Sequence, residues 1–279
     1  MPKTIIITGA SDGIGAAGAR LLHQEGHQVV IVGRSQQKTS NVAAELNADH
    51  FLADFTSLAD VRKVAAELNA TYPRIDVLVN NAGGIFGDRD KTRDGFEKTL
   101  QVNHLAPFLL TNLLMDKLIS SKASVIQTSS VGARLFGKLD IDDLETDNGF
   151  TAHRAYGTAK LENILFTKEI HARYASRGVS AAAFHPGAVA SNFAAGSKSF
   201  MRRIYGNPLS RLFMISPEKG ASQLVWLAAT TPGTDWQSGT YYENGKPARR
   251  NNPQARDASL ARQLWNRSAE LVGVDAVSS

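Results

Sequence analysis

Thr4-Ile5-Ile6-Ile7-Thr8-Gly9-Ala10-Ser11-Asp12-Gly13-Ile14-Gly15 passes directly from a β-branched run into a glycine-rich turn and on into a helical stretch. Branching at Cβ stiffens the side chain and suits a pleated surface, and an apolar run without polar alternation fits a strand covered on both faces. Beyond it, comparable runs recur at 28–32, 50–53, 77–80, 124–128 and 179–184, with 239–242 as a seventh. Helical periodicity fills the intervals at 14–25, 36–46, 58–71, 94–117 and 152–176, with Pro107 at a bend inside the fourth. Pro217 opens a further helix at 218–229, and a last one begins near Pro253. Strands alternating with helices predict the α/β class: one doubly wound parallel sheet of about seven strands flanked by helices, with 1–279 as a single domain.

A chain of 279 residues with 43% apolar content can bury a sizeable core, and it carries no Pro/Ser-rich linker, low-complexity tract or long-period repeat. The absence of cysteine excludes disulfides, thiolate metal ligands and cysteine nucleophiles, and fits a reducing compartment. No metal is expected. The opening apolar run is too short for a signal segment or a membrane span, so a soluble, cytoplasmic protein is expected. The 31 basic and 26 acidic residues leave a formal charge of +5, spread without aromatic-interleaved clusters, so no nucleic-acid partner is expected. That small excess can instead help to draw an anionic cofactor to its cleft.

Gly9, Gly13 and Gly15 stand where the first strand meets the first helix, with Ser11, Asp12 and Ile14 between and beside them. A tight turn there brings backbone amides up to a pyrophosphate at the helix N-terminus. The Gly-x3-Gly-x-Gly spacing differs from Gly-x-Gly-x-x-Gly, and a purely structural strand-to-helix turn also uses glycines. The second strand ends Val32-Gly33-Arg34-Ser35, with no carboxylate from Gln28 through Gln37 to bond an adenosine ribose. Arg34 can grip a 2′-phosphate, with Ser35 and Lys38 adding to it, which favours NADP(H) over NAD(H); the alternative is a solvated surface arginine. Asp54, followed by Phe55, can accept from an adenine amino group or cap the helix near Leu58, where Thr56 or Ser57 is better placed. Asn80-Asn81-Ala82-Gly83 follows the fourth strand, where small residues let the chain pass beside the cofactor.

Tyr156 and Lys160 lie four residues apart in Ala155-Tyr156-Gly157-Thr158-Ala159-Lys160, on one face of a helix. A phenol titrates near pH ~10 in isolation, and a neighbouring ammonium lowers that value by favouring the phenolate, which makes a tyrosine usable as an acid or base.

Thr-Gly-x3-Gly-Ile-Gly, Asn-Asn-Ala-Gly, Asn103, Ser129-Ser130, Tyr-x3-Lys and Pro186-Gly187 follow one another along nearly the whole chain. In this order they resemble the short-chain dehydrogenase/reductase family. The resemblance implies a Rossmann-like fold that binds NAD(P), and a catalytic tetrad of Asn103, Ser130, Tyr156 and Lys160. Tyr156 would exchange a proton with the carbonyl or alcohol oxygen, and Ser130 would hydrogen-bond the same oxygen. Lys160 would lower the tyrosine pKa and hold the nicotinamide ribose, and Asn103 would fix a water linking Lys160 to solvent. Both serines lie at the end of the fifth strand and one of them faces the cleft; the family pattern puts its serine second in the pair. Pro186, Gly187 and the backbone of Val189 would abut the nicotinamide, with Asn192 where threonine is often found.

Ser130 and Tyr156 are separated more widely than is usual in the family, and the intervening segment contains Asp140-Ile141-Asp142-Asp143-Leu144-Glu145. With Lys160-Leu161-Glu162-Asn163-Ile164-Leu165-Phe166, this is similar to the retinol dehydrogenase and protochlorophyllide reductase-like branch, whose members act on varied lipophilic ketones, aldehydes and alcohols. The acidic run also suits a solvated loop. A substrate lid is expected at about 188–215, where apolar residues alternate with Lys198, Arg202, Arg203 and Arg211. An ordinary amphipathic cover for the core is the alternative. The basic residues suit an anionic group on the substrate or, at most, peripheral membrane contact. Family members often pair through helices flanking the site, which implies a homodimer or homotetramer. The expected activity is NADP(H)-dependent interconversion of a carbonyl and an alcohol on a small to medium lipophilic molecule. The rival is a noncatalytic NADP(H)-binding redox sensor, which would need no proton donor.

Overall fold

The computed structural model describes residues 1–187 and 215–275. Strand β1 (Thr4–Thr8) lies inside a sheet that also contains β2 (Gln28–Gly33), β3 (Asp49–Leu52), β4 (Val77–Asn80), β5 (Ser124–Thr128), β6 (Ser180–His185) and β7 (Thr240–Glu243). Neighbouring pairs among these strands are parallel, in the order β3-β2-β1-β4-β5-β6-β7. An eighth strand, β8 (Lys246–Pro247), extends the sheet antiparallel to β7 and was absent from the seven-strand expectation. Two exposed residues, one of them proline, give no strand pattern; the hairpin rests on backbone pairing with β7.

Two cores cover the sheet. Helices α1 (Gly13–Gln24), α2 (Gln36–Leu46) and α9 (Pro217–Ala229) close one face, burying Leu22, Val42 and Leu224 against Ile5, Ile7 and Phe184. On the other face lie α3 (Leu58–Thr71), α5 (Ala106–Leu113), α8 (Ala152–Tyr174) and α10 (Ala258–Val272), packed over Ile6, Leu78 and Val125. Trp265 of α10 meets Phe108 and Phe166 at ring-centroid distances of 5.0 and 5.6 Å, so the last helix is locked onto α5 and α8.

The helix expected over 94–117 is broken into pieces. Asp94 accepts from the Leu58 amide and Gln101 Nε2, and Glu97 accepts from the Thr99 and Leu100 amides, so both carboxylates bind backbone or amide groups instead of continuing a helix. Helix α4 (Lys98–Leu100) then runs through a π-turn at Gln101–Leu105 into α5, and α6 (Met115–Ser121) follows a break at Leu114. Pro107, at the second position of α5, has no N–H for the carbonyl of Asn103 four residues earlier, so the bend belongs to the π-turn just before it. The last helix also starts later than expected: Pro253–Arg256 is a 3-10 turn, and Asp257 caps α10.

Candidate active site

The sheet order reverses between β1 and β4, and the cleft at the C-terminal ends of these strands is the switch point where open α/β sheets bind ligands. Thr8 builds its floor. The Thr8 hydroxyl accepts from the Asn81 and Ala82 amides, both at 3.0 Å, and donates to the Val79 carbonyl. Asn81 Nδ2 donates to the Thr8 carbonyl at 3.0 Å, so Asn81 spends its amide on stitching the two strand ends together. Gly9 takes φ 66, and a Cβ at Gly15 would lie 2.4 Å from the Gly9 carbonyl oxygen and 2.6 Å from Asn81 Nδ2. The glycines let the turn pack tightly against the loop after β4, and they set the start of α1, whose free amides can meet an anionic group, at the mouth of the cleft.

Asp12 caps α1, accepting from the Gly13 amide at 2.8 Å, and its other oxygen pairs with Lys38 at 2.8 Å. A carboxylate thus sits at the helix N-terminus, offset by a lysine from α2. Arg34 and Ser35 are exposed at the end of β2, and the Ser35 hydroxyl caps α2 by accepting from the Lys38 amide. Asp54 accepts from the Thr56 amide and hydroxyl, while Ser57 caps α3. Phe55 is buried in the core, leaving its backbone as the part that can meet a ligand; its carbonyl already accepts from Gln101 Nε2. Ser11 and Ile14 are half-buried at the same turn.

The remaining groups converge from α8, the π-turn and the end of β5. Thr151 caps α8 through the Arg154 amide, and Tyr156 and Lys160 follow on one face, with Lys160 Nζ 5.5 Å from the Tyr156 ring centroid. Lys160 is 2% exposed; its ammonium donates to the Thr128 carbonyl at 3.1 Å, and burial pushes its pKa down to about 7. Asn103 is fully buried in the π-turn. Its Nδ2 donates to the Gly84 and Thr99 carbonyls, and its Oδ1 accepts from the Gly84 amide. A Cβ at Gly83 would stand 2.5 Å from Asn103 Oδ1 and 3.1 Å from Lys160 Nζ, so a glycine is what lets these side chains approach the loop after β4.

Ser129 is buried, and its hydroxyl donates to the Lys160 carbonyl at 2.8 Å. Ser130 is half-buried, accepts from the Gly132 amide at 3.1 Å and borders Gly132 together with the Tyr156 ring. The two serines therefore divide: one supports α8 and the other is left at the cleft. Gly187 follows Pro186 with φ 92. Val189, Asn192 and the expected lid up to 214 lie outside the described residues, as do the basic residues on which anionic or membrane contact was expected. The segment between Ser130 and Tyr156 forms α7 (Gly132–Leu135), and its acidic run makes a 3-10 turn at Ile141–Asp143, with Asp140 and Asp143 accepting from amides of their own loop.

Thr8 and Thr128 carry the site's framework; Thr8 opened the quoted glycine motif without a role of its own, and Thr128 did not stand out beyond its place at a strand end. Tyr241 was missed too, because only strand register places it near Tyr156. Among the described residues no group of His, Asp and Glu could hold a metal ion, and no helix is long and apolar enough to cross a membrane.

The family model described as short chain dehydrogenase matches residues 3–201. A Streptomyces sp. (strain C5) protein provisionally assigned as a daunorubicin C-13 ketoreductase is 41% identical over 278 residues, covering 97% of this chain and 93% of its own. Human retinol dehydrogenase 13 is 36% identical over 290 residues, covering 99% and 86%. The crystal structure of an uncharacterised Mycobacterium paratuberculosis protein superposes with TM-score 0.77 at 28% identity, covering 99% of this chain and 96% of that one.

Proposed function

Since the chain belongs to the short-chain dehydrogenase/reductase family, in its retinol dehydrogenase-like branch, and is thus an oxidoreductase acting on CH–OH and C=O groups, we propose that it is an NADP(H)-dependent carbonyl reductase or alcohol dehydrogenase for small to medium lipophilic molecules. The observation that carries this reading is the convergence on one gap: Gly83 lacks the Cβ that would collide with Asn103 Oδ1 and Lys160 Nζ, with Tyr156 one helical turn before Lys160. The glycine cradle, Arg34, Ser35 and Lys38 would hold the adenosine and phosphates, and Pro186, Gly187 and Val189 would face the nicotinamide. When bound, that cofactor supplies or accepts the hydride.

In the reductive direction the Tyr156 hydroxyl gives its proton to the carbonyl oxygen, and the Ser130 hydroxyl donates a hydrogen bond to the same oxygen as charge develops on it. Lys160 in its protonated form favours the phenolate that remains; the Thr128 carbonyl holds its ammonium, and Asn103 pins the neighbouring loop at Gly84. The lack of a carboxylate at the end of β2 and the exposure of Arg34 support NADP(H), since a 2′-phosphate would meet a guanidinium instead of a repelling charge. The reading takes the protein as a single domain working in the cytoplasm. A homodimer or homotetramer is tested by light scattering, and peripheral membrane contact by liposome flotation at low salt.

The test is oxidation of NADPH and NADH at equal concentration across lipophilic aldehydes, ketones and quinones, with Tyr156→Phe as the paired variant. NADPH-selective turnover that falls by about 10²- to 10⁴-fold in the variant is expected for a lost general acid. Cofactor binding without turnover, unchanged in Tyr156→Phe, would replace this reading with that of a noncatalytic redox sensor.

A further inference from the structure

β6 and β7 lie in parallel register with Ala183 opposite Tyr241 and His185 opposite Glu243. Side chains alternate across a strand. Ala181, Ala183 and Tyr241 enter the core beneath α8, whereas Ala182, Phe184 and Tyr242 enter the opposite core. His185 and Glu243 therefore project on the α8 side, at the C-terminal edge of the sheet, where the candidate active site lies. Arg134, on α7, is near enough for its charge to act on both His185 and Tyr241, and Tyr156 is near enough to act on Tyr241.

The strand backbones are bonded by other partners: the Tyr241 carbonyl accepts from the Ala248 amide at 2.9 Å, and the His185 carbonyl accepts from Gln223 Nε2 at 2.5 Å. Yet Tyr241 is 6% exposed, and its hydroxyl, Glu243 Oε1 and His185 Nδ1 are closed to solvent with no hydrogen-bond partner among the described residues. The Glu243 carboxylate lies close enough to the phenol to hold its proton on. Polar groups left buried and unbonded are costly, and native structures rarely tolerate several together without a ligand, a water or a function.

We infer that Tyr241, His185 and Glu243 form a polar subsite beside Tyr156 for a second, neutral oxygen function on the substrate, a hydroxyl or a further carbonyl. The chemistry of the set decides for a neutral group. Burial holds the Tyr241 phenol well above its usual range, so it remains a donor, and burial lowers the His185 pKa, so the imidazole stays neutral with one donor and one acceptor nitrogen. Glu243 supplies an acceptor, and a carboxylate in the set disfavours a substrate carboxylate or phosphate there. A substrate hydroxyl could donate to Glu243 while accepting from Tyr241, and a keto oxygen could accept from Tyr241. The substrate is thereby narrowed from a lipophilic ketone to an oxygenated one, an inference that rests on the carbonyl-reductase reading above.

Matched ketones that differ by one hydroxyl or one further carbonyl, placed at several distances from the reacting carbonyl, test this with NADPH as donor. The wild-type protein is expected to favour at least one oxygenated member by about tenfold or more in kcat/KM. Tyr241→Phe, which keeps the ring's packing, and Glu243→Gln should each bring that ratio toward one, chiefly through the KM of the oxygenated member. A merely structural role would depress both members of a pair together and leave the ratio intact, which overturns the subsite, as does a wild-type ratio near one throughout. Thermal-shift titration of the NADPH-loaded protein with the same pairs reads the subsite separately from turnover. Selective stabilisation by oxygenated members, lost in Tyr241→Phe, supports the subsite even where turnover is absent and the reductase reading fails; equal shifts refute it.

Discussion

Replacing Glu162 with glutamine should stabilise the protein at pH 7 and flatten part of the dependence of its stability on pH. Glu162 is fully buried on α8, and neither carboxyl oxygen has a hydrogen-bond partner among the described residues. Burial raises its pKa well above the ordinary 4.5, and the charge of Glu97, itself 1% exposed, pushes the same way. The folded protein therefore keeps a proton that the unfolded chain releases above pH ~4.5. Fewer protons bound in the unfolded state means that stability falls as pH rises through that window, by up to about 1.4 kcal/mol per unit, and is fully present below it. Glutamine has no proton to lose, so urea unfolding of the two proteins should show similar stability at pH 5 and an advantage for Glu162→Gln that widens toward pH 7. His104, which burial pushes down to about 3, and Lys160 titrate in both proteins and cancel in the comparison. Glu97, also raised by burial, leaves a residual slope in both. Curves that stay parallel from pH 5 to pH 7 would refute the reasoning.

Other expectations concern the cofactor end. Arg34→Ala should lower the NADPH-to-NADH ratio of kcat/KM by about tenfold or more, the worth of a charge-assisted hydrogen bond to phosphate; steady-state kinetics with both cofactors reads it. Asp12→Asn keeps a good helix cap while releasing Lys38 from an exposed ion pair and removing a negative charge, so the NADPH Kd should tighten a few-fold, worth up to about 1 kcal/mol; fluorescence titration measures it. Gly83→Ala puts a methyl group 2.5 Å from Asn103 Oδ1 and should cut kcat by tenfold or more, in rough proportion to the displacement of Lys160. Lys160, with its pKa lowered to about 7, is mostly neutral at pH 8 in the protein without cofactor, and an anionic dinucleotide beside it should draw a proton on. Calorimetry at pH 8 in buffers of different ionisation enthalpy should show proton uptake on NADPH binding that Lys160→Met abolishes.

The strands were legible because central strands of a parallel sheet are apolar without interruption, as in Ile5-Ile6-Ile7 and Val77-Leu78-Val79. The breakage of the 94–117 helix was not, because it depends on Asp94 reaching the amide of Leu58, 36 residues away. Of the site, Tyr156 and Lys160 could be paired from helical spacing alone. Ser130 needed the family pattern, since strand alternation separates two adjacent serines without saying which face is the cleft. Tyr241, His185 and Glu243 carry no spacing signal at all; they meet through the register of two strands more than fifty residues apart. The Asp12–Lys38 pair was hidden for the same reason, being made between the starts of two helices.

The π-turn at Gln101–Leu105 is in effect one surplus residue wound into a helix, and a helix turns by about 100° for each residue added or removed. Within it Asn103 holds Gly84, and downstream Phe108 packs on Trp265. Deleting one residue there would restore a regular helix at the expense of its phase: if Phe108 kept its seat, Asn103 would swing away from the loop beside Lys160, and if Asn103 kept its bonds, α5 would rotate out of the core. The alignment of the candidate chemistry with the core thus depends on a change of count, and a protein shortened by one residue in this stretch would have to choose between the two.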